Sequence, residues 1–188
     1  MRTRMRTAWV GGAVASLALA SAVVASTASA DSTVGTATLT GGSLTIVTPA
    51  AVAFTASLKG IDQVVAATQA VDIIVGSGSG SGWNLTVTST SFTAGSRTLP
   101  NDSAYDHGAT GVCDNGVTCT LADNSATSYP VVIPSAVVAP AAIRIMSAAV
   151  DSGLGGQTWT HNMRLVIPGN AHAGDYTSTW TYSLVSAP

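Results

Sequence analysis

The sequence predicts an all-β fold, a single β-sandwich. Three observations carry that prediction. Short β-prone runs recur along the chain, separated by Gly, Pro and Asn turn residues. Helical periodicity is almost absent. The closing segment alternates strictly: Tyr176, Ser178, Trp180, Tyr182 and Leu184 share one face, and Thr177, Thr179, Thr181 and Ser183 share the other. Many short strands of this kind form a sandwich of Ig-like or similar architecture, and a terminal strand that alternates so cleanly is integral to a sheet.

The elements follow in chain order. Residues 1–30 read as a secretory signal peptide. Arg2, Arg4 and Arg6 form the positive region, Ala8 to Ala25 is uncharged, and Ala28-Ser29-Ala30 is a small-residue cleavage signal before Asp31. The rival is a membrane anchor. The dilution of the run with Ala, Gly and Ser, and the cleavage signal after it, favour the signal peptide. Residues 31–188 are then the mature domain. Neither a lipid-accepting Cys near the cleavage point nor an apolar, sorting-type tail is expected to hold it.

Thr36 to Thr40 and Ser43 to Val47 flank Gly41-Gly42, which predicts a tight hairpin. Val71 to Val75 is an apolar run of strand length, and the Gly-Ser run 76–82 after it is a flexible loop. Trp83 to Thr88 alternates, with Trp83, Leu85 and Val87 on one face. Residues 93–130 lack periodicity and read as a long loop, with a small hairpin at the cystine as the alternative within it. Val131 to Ile133 is a short strand. Ala142 to Met146 is apolar but Ala-rich, which suits either strand or helix. Met163 to Ile167 is a strand ended by Pro168-Gly169.

Within the long loop, Cys113 and Cys119 are the only cysteines, and they bracket Asn115-Gly116, a turn signal. An exported chain meets an oxidising environment, so a structural disulfide is expected. It would stabilise the fold by about 2–3 kcal/mol through loop entropy. A thiolate metal site is the rival, and two cysteines without a second pair make a poor one.

Charge narrows the function classes. Charged residues are 9% of the chain, against roughly 25% in ordinary soluble proteins. All nine acidic residues are Asp, and Lys59 is the sole lysine. Coiled coil, nucleic-acid binder and disordered polyelectrolyte are excluded on composition. Loss of three signal-peptide arginines leaves four basic and nine acidic residues, a net of −5. Charge therefore does not attach this domain to an anionic polymer or membrane. Binding must run through neutral hydrogen bonds and stacking.

Enzyme chemistry is not expected. Zinc-protease helices need Glu, which is absent, and no Gly-x-Ser-x-Gly elbow occurs. The Gly-Ser run 76–82 lacks the Lys-Ser/Thr ending of a phosphate loop. No pair of Asp stands out as glycosidase carboxylates. His107, His161 and His172 read as solvated loop residues. Asp114, Asn115, Asp123 and Asn124 are oxygen ligands near one turn, but without EF-hand spacing. No catalytic residue, metal site or cofactor is assigned.

Gly80-Ser81-Gly82-Trp83-Asn84-Leu85-Thr86-Val87, with Trp83-x-Leu85 at its centre, resembles the first motif of the WxL domain family of Gram-positive surface proteins. Gly42 to Ile46 is similar to the family's opening strand. Ser147-Ala148-Ala149 and Gly153-Leu154-Gly155 are similar to its middle segment. Ile167-Pro168, Ala171 to Gly174 and Tyr176-Thr177 are similar to the approach to its second motif, and the chain closes on Trp180 to Leu184. The second motif departs from the pattern, reading Trp180-x-Tyr182, and the cystine loop lies outside it.

The resemblance implies a secreted all-β domain held non-covalently at the cell wall. It implies peptidoglycan or a cell-wall glycan as ligand and other surface proteins as further partners, with neither nucleic acid nor, after signal cleavage, membrane. The ligand-binding candidates are Trp83, Leu85, Trp159, Trp180 and Tyr182. For Trp83 and Trp180, alternation favours a core role over stacking on a sugar. Trp159, flanked by Thr158 and Thr160, is the better candidate for exposure. Two other functions stand beside wall binding. One is a structural subunit or adhesin that pairs through a strand edge. The other, placed last, is a secreted hydrolase.

Overall fold

The computed structural model describes residues 34–187. The expected signal peptide and its cleavage point lie outside the described residues. The chain divides into two compact units between Thr38 and Leu39. Of the first, residues 34–38 are described and have no strand.

The second unit is all-β. Its strands are β1 (Leu44–Val47), β2 (Gln63–Val75), β3 (Trp83–Thr90), β4 (Thr93–Ala94), β5 (Arg97–Thr98) and β6 (Ala104–Cys113). They continue as β7 (Val131–Val132), β8 (Ser135–Ala136), β9 (Ile143–Ala148), β10 (Gly155–Ile167) and β11 (Trp180–Ser186). One sheet runs β1-β2-β10-β6-β7, antiparallel throughout. In the other, β3 lies between β11 and the pair β8 and β9. β4 and β5 form a separate small hairpin.

Period-two patterning makes the sandwich. Val71, Ile73 and Val75 of β2 and Trp159, Met163, Leu165 and Ile167 of β10 turn to one side of their sheet. They meet Trp83, Leu85 and Val87 of β3 and Ile145 and Met146 of β9 in one buried cluster. Each such side chain, fully buried, contributes about 1.5–3 kcal/mol. This core orders the two sheets as the layers of a sandwich.

Two expected elements came out differently, and one open alternative is settled. Thr36–Thr40 forms no strand, and no Gly-Gly hairpin exists. Leu39 is the sole large apolar residue of that run and is 91% exposed, so pairing there would bury nothing. β1 instead pairs with the end of β2, Leu44 opposite Val75, where apolar neighbours are available. Within residues 93–130, read as loop, Thr93–Ala94 and Arg97–Thr98 pair as the β4–β5 hairpin, and Ala104–Cys113 is β6, a strand inside the five-stranded sheet. Gly108 and Gly111 had obscured its alternation. The ambiguous run at 142–146 is strand, as β9.

The Cys113–Cys119 disulfide is present. It closes a turn at the end of β6, and the remaining loop, 114–130, is tied down by hydrogen bonds. The Asn124 side chain accepts from the Ser147 backbone N–H at 2.8 Å and donates to the Tyr129 hydroxyl at 3.0 Å. That hydroxyl donates to the Ile145 carbonyl at 2.7 Å. Burial pushes the Tyr129 phenol up to about 12.

Candidate ligand-binding groove

The connection between β1 and β2, residues 48–62, contains no strand. Pro49 cannot donate to a ladder, and Ala50, Ala51, Ala53 and Ala56 offer little to bury. One large side chain, Phe54, anchors this strap. It packs edge-on to Phe92 (centroids 6.3 Å apart, planes at 81°) and tilted against Trp180 (6.3 Å, 42°). Phe92 and Trp180 are themselves edge-to-face at 6.3 Å. Such triads exceed simple area burial by about 0.5–1.5 kcal/mol per pair.

Two cavities open beside this triad. The smaller, about 380 Å3, lies between the strap and the approach to β11. Trp180 and Tyr182 line it, with Gln69, Ser178, Thr179 and Thr48. The larger, about 570 Å3, is walled by Leu58, Leu165, Ile167, Ala171, Asp175 and their neighbours. Val52, Phe92 and Tyr176 line both. Together they form one groove with an aromatic floor.

Hydrogen bonds fix its polar wall. The Thr179 backbone N–H donates to Thr90 Oγ1 at 2.8 Å, and the Ser178 hydroxyl donates to the Thr90 carbonyl. The Tyr182 hydroxyl donates to Gln69 Oε1 at 2.5 Å, joining β11 to β2. Burial raises the Tyr182 phenol well above its ordinary range, so it stays a neutral donor. Among the described residues, no ionisable side chain other than tyrosine lines the smaller cavity, and neither Lys nor Arg lines either one.

The five predicted ligand-binding residues therefore separate. Trp180 and Tyr182, both half-buried on one face of β11, reach the groove. Trp83 and Leu85 are core: Trp83 is sealed and its Nε1 donates to the Gly153 carbonyl at 3.0 Å. A Cβ at Gly153, whose φ is +67°, would lie 2.5 Å from that nitrogen, so only glycine fits. Trp159 is corrected from exposed to buried. It shares its face with Met163 and Leu165, its Nε1 donates to Gln157 Oε1 at 2.8 Å, and its ring lies over Gly111. No protein-family model matches the chain, and neither does any curated protein or solved structure.

The expected solvated His161 is also corrected. It lies on β10 and is fully buried, with Nδ1 2.6 Å from Asp106 Oδ2. Asp106 is equally buried, and its other oxygen accepts from the Gly108 N–H at 3.0 Å. Among the described residues, His161 Nε2 has no hydrogen-bond partner. A carboxylate-held imidazole with a free Nε2 has the form of a general base. Here it is sealed inside the sandwich, away from solvent and from both cavities. His107 is exposed on β6, and His172 is exposed in the turn before Tyr176.

The oxygen-rich residues of the cystine loop serve the fold. Asp114 accepts from the Thr158 hydroxyl at 2.7 Å, and Asp123 accepts from the Ser125 N–H at 3.0 Å. That bond holds the Asp123 carboxyl below its ordinary range. Among the described residues, no group of three or more metal-ligating side chains occurs. Sequence reasoning missed Phe54, Phe92, Gln69 and the Asp106–His161 pair. For His161 a signal was present: it keeps step with Trp159, Met163 and Leu165 at period two.

Proposed function

We propose that this protein is a secreted bacterial surface domain that binds peptidoglycan non-covalently and is not an enzyme. One observation carries the reading: the smaller cavity of the groove, lined by an indole and by neutral hydroxyl and amide groups, lies at the position of the second WxL-like motif. A volume of about 380 Å3 falls within the ordinary range of small-ligand sites. An indole offers its face to the apolar side of a sugar ring, while Gln69, Ser178, Thr179 and Tyr182 offer neutral partners to hydroxyl and acetamido groups. The mature chain is net negative, and an anionic wall repels it at long range. Attachment through neutral groups is consistent with both facts.

The test is co-sedimentation with purified sacculi at low and high salt. The reading expects pelleting at both, because screening removes repulsion and leaves hydrogen bonds and stacking intact. Protein that stays in the supernatant at every salt concentration overturns it.

A further inference from the structure

The two halves of the groove differ in chemistry, and the difference describes a ligand with two parts. The smaller cavity is lined by hydroxyls, an amide and an indole. The larger is lined by Ala53, Ala56 and Ala171 together with Leu58, Leu165 and Ile167, has Ser57 and His172 in its wall, and carries one carboxylate, Asp175. Asp175 is exposed and, among the described residues, makes no salt bridge. The cavities adjoin along Val52, Phe92 and Tyr176, which line both.

Resting on the wall-binding reading, we infer that the larger cavity is a peptide subsite. It takes a short peptide of small apolar residues bearing a free primary amine, joined to a sugar held in the smaller cavity. The alanine-lined part of the wall accommodates methyl side chains. Among the described residues, Asp175 is the one acidic group lining this cavity, neither lysine nor arginine lines it, and His172 is the one basic side chain there, so an ammonium group complements Asp175. The Tyr176 hydroxyl donates to the His172 carbonyl at 3.1 Å, which closes the turn that presents Asp175. A peptidoglycan fragment has this composition: an amino sugar carrying a short, alanine-rich stem with one unlinked amine.

The experiment is calorimetric titration of the purified protein with three probes. They are a disaccharide–tetrapeptide released by muramidase, the same compound with its amine acetylated, and sugar chains freed of peptide by amidase. The inference expects acetylation to weaken binding about three- to tenfold, the range of a partly exposed ion pair in a cleft. Asp175→Asn should weaken binding of the unmodified compound to the same extent, and the two losses should not add. Sugar chains should bind the protein and Asp175→Asn equally.

Equal binding of the acetylated and unmodified compounds overturns the peptide subsite. So does an unmodified compound that binds no tighter than sugar chains. If neither sugar chains nor the intact compound binds, the wall-binding reading falls as well.

Discussion

The Tyr182 hydroxyl donates to the Gln69 amide oxygen across the sandwich at 2.5 Å, at the inner end of the groove. The same tyrosine thus holds two sheets together and lines the candidate site. Tyr182→Phe keeps the ring and leaves Gln69 short of its donor. An expected cost of about 1–3 kcal/mol follows from stranding a buried amide, read from the denaturant midpoint. The pH dependence has a definite sign. Both Tyr129 and Tyr182 have phenols raised above 10 in the fold. Their stabilisation is complete below pH 10 and is lost as pH rises through and beyond it. Phenolate absorbance and loss of circular dichroism should therefore rise together in an alkaline titration.

Asp106 and His161 make a different prediction. Replacing His161 by Ala leaves a carboxylate buried with one partner fewer, at about 3–5 kcal/mol. The double variant Asp106→Leu, His161→Leu removes both polar groups and should be less destabilised than the sum of the single variants. Urea unfolding of the four proteins measures this coupling. Strict additivity would show that the pair is not an energetic unit.

The two motif tryptophans separate by function. Trp83→Ala opens a hole in the sealed core and should cost about 3–5 kcal/mol. Trp180 is half-buried, so Trp180→Ala should leave a folded domain that no longer pellets with sacculi. Thermal melting beside co-sedimentation checks both halves.

A pair of carboxylates offers a stabilising change. Asp72 on β2 lies beside Asp114, and one Asp72 carboxylate oxygen is buried without a partner. Desolvation, and then the Asp114 charge, raise the Asp72 carboxyl above 3.8. A raised acid stabilises the fold below its unfolded value and loses that contribution as pH climbs through the folded value. Asp72→Asn should therefore melt higher than the parent at neutral pH, and the gap should close below pH 3.8.

Strands with unbroken alternation were legible in the sequence: β3 and the end of β10 lie where period two puts them, while β11 opens at Trp180, four residues after the alternation begins at Tyr176. β6 was not, because its glycines and a bulge near Gly108 interrupt the pattern while its neighbours supply the ladder. The failed hairpin at Gly41-Gly42 has the opposite cause. Its local turn signal was strong, but Thr36–Thr40 had no apolar face to commit. The site was half legible. Trp180 and Tyr182 follow from the second motif, whereas Phe54 and Phe92 meet them only through tertiary packing, from a strap that has no periodicity to read. Trp159 misled because its threonine neighbours point away from the core on the opposite face of the same strand.

The most direct measurement of the central claim follows the indole N–H resonances during titration with muramidase-solubilised peptidoglycan. Trp180 borders the groove, while Trp83 and Trp159 donate to Gly153 and Gln157 inside the core. The account predicts that the Trp180 signal moves progressively with added ligand while the Trp83 and Trp159 signals stay in place. A Trp180 signal that remains fixed up to saturating ligand would contradict it.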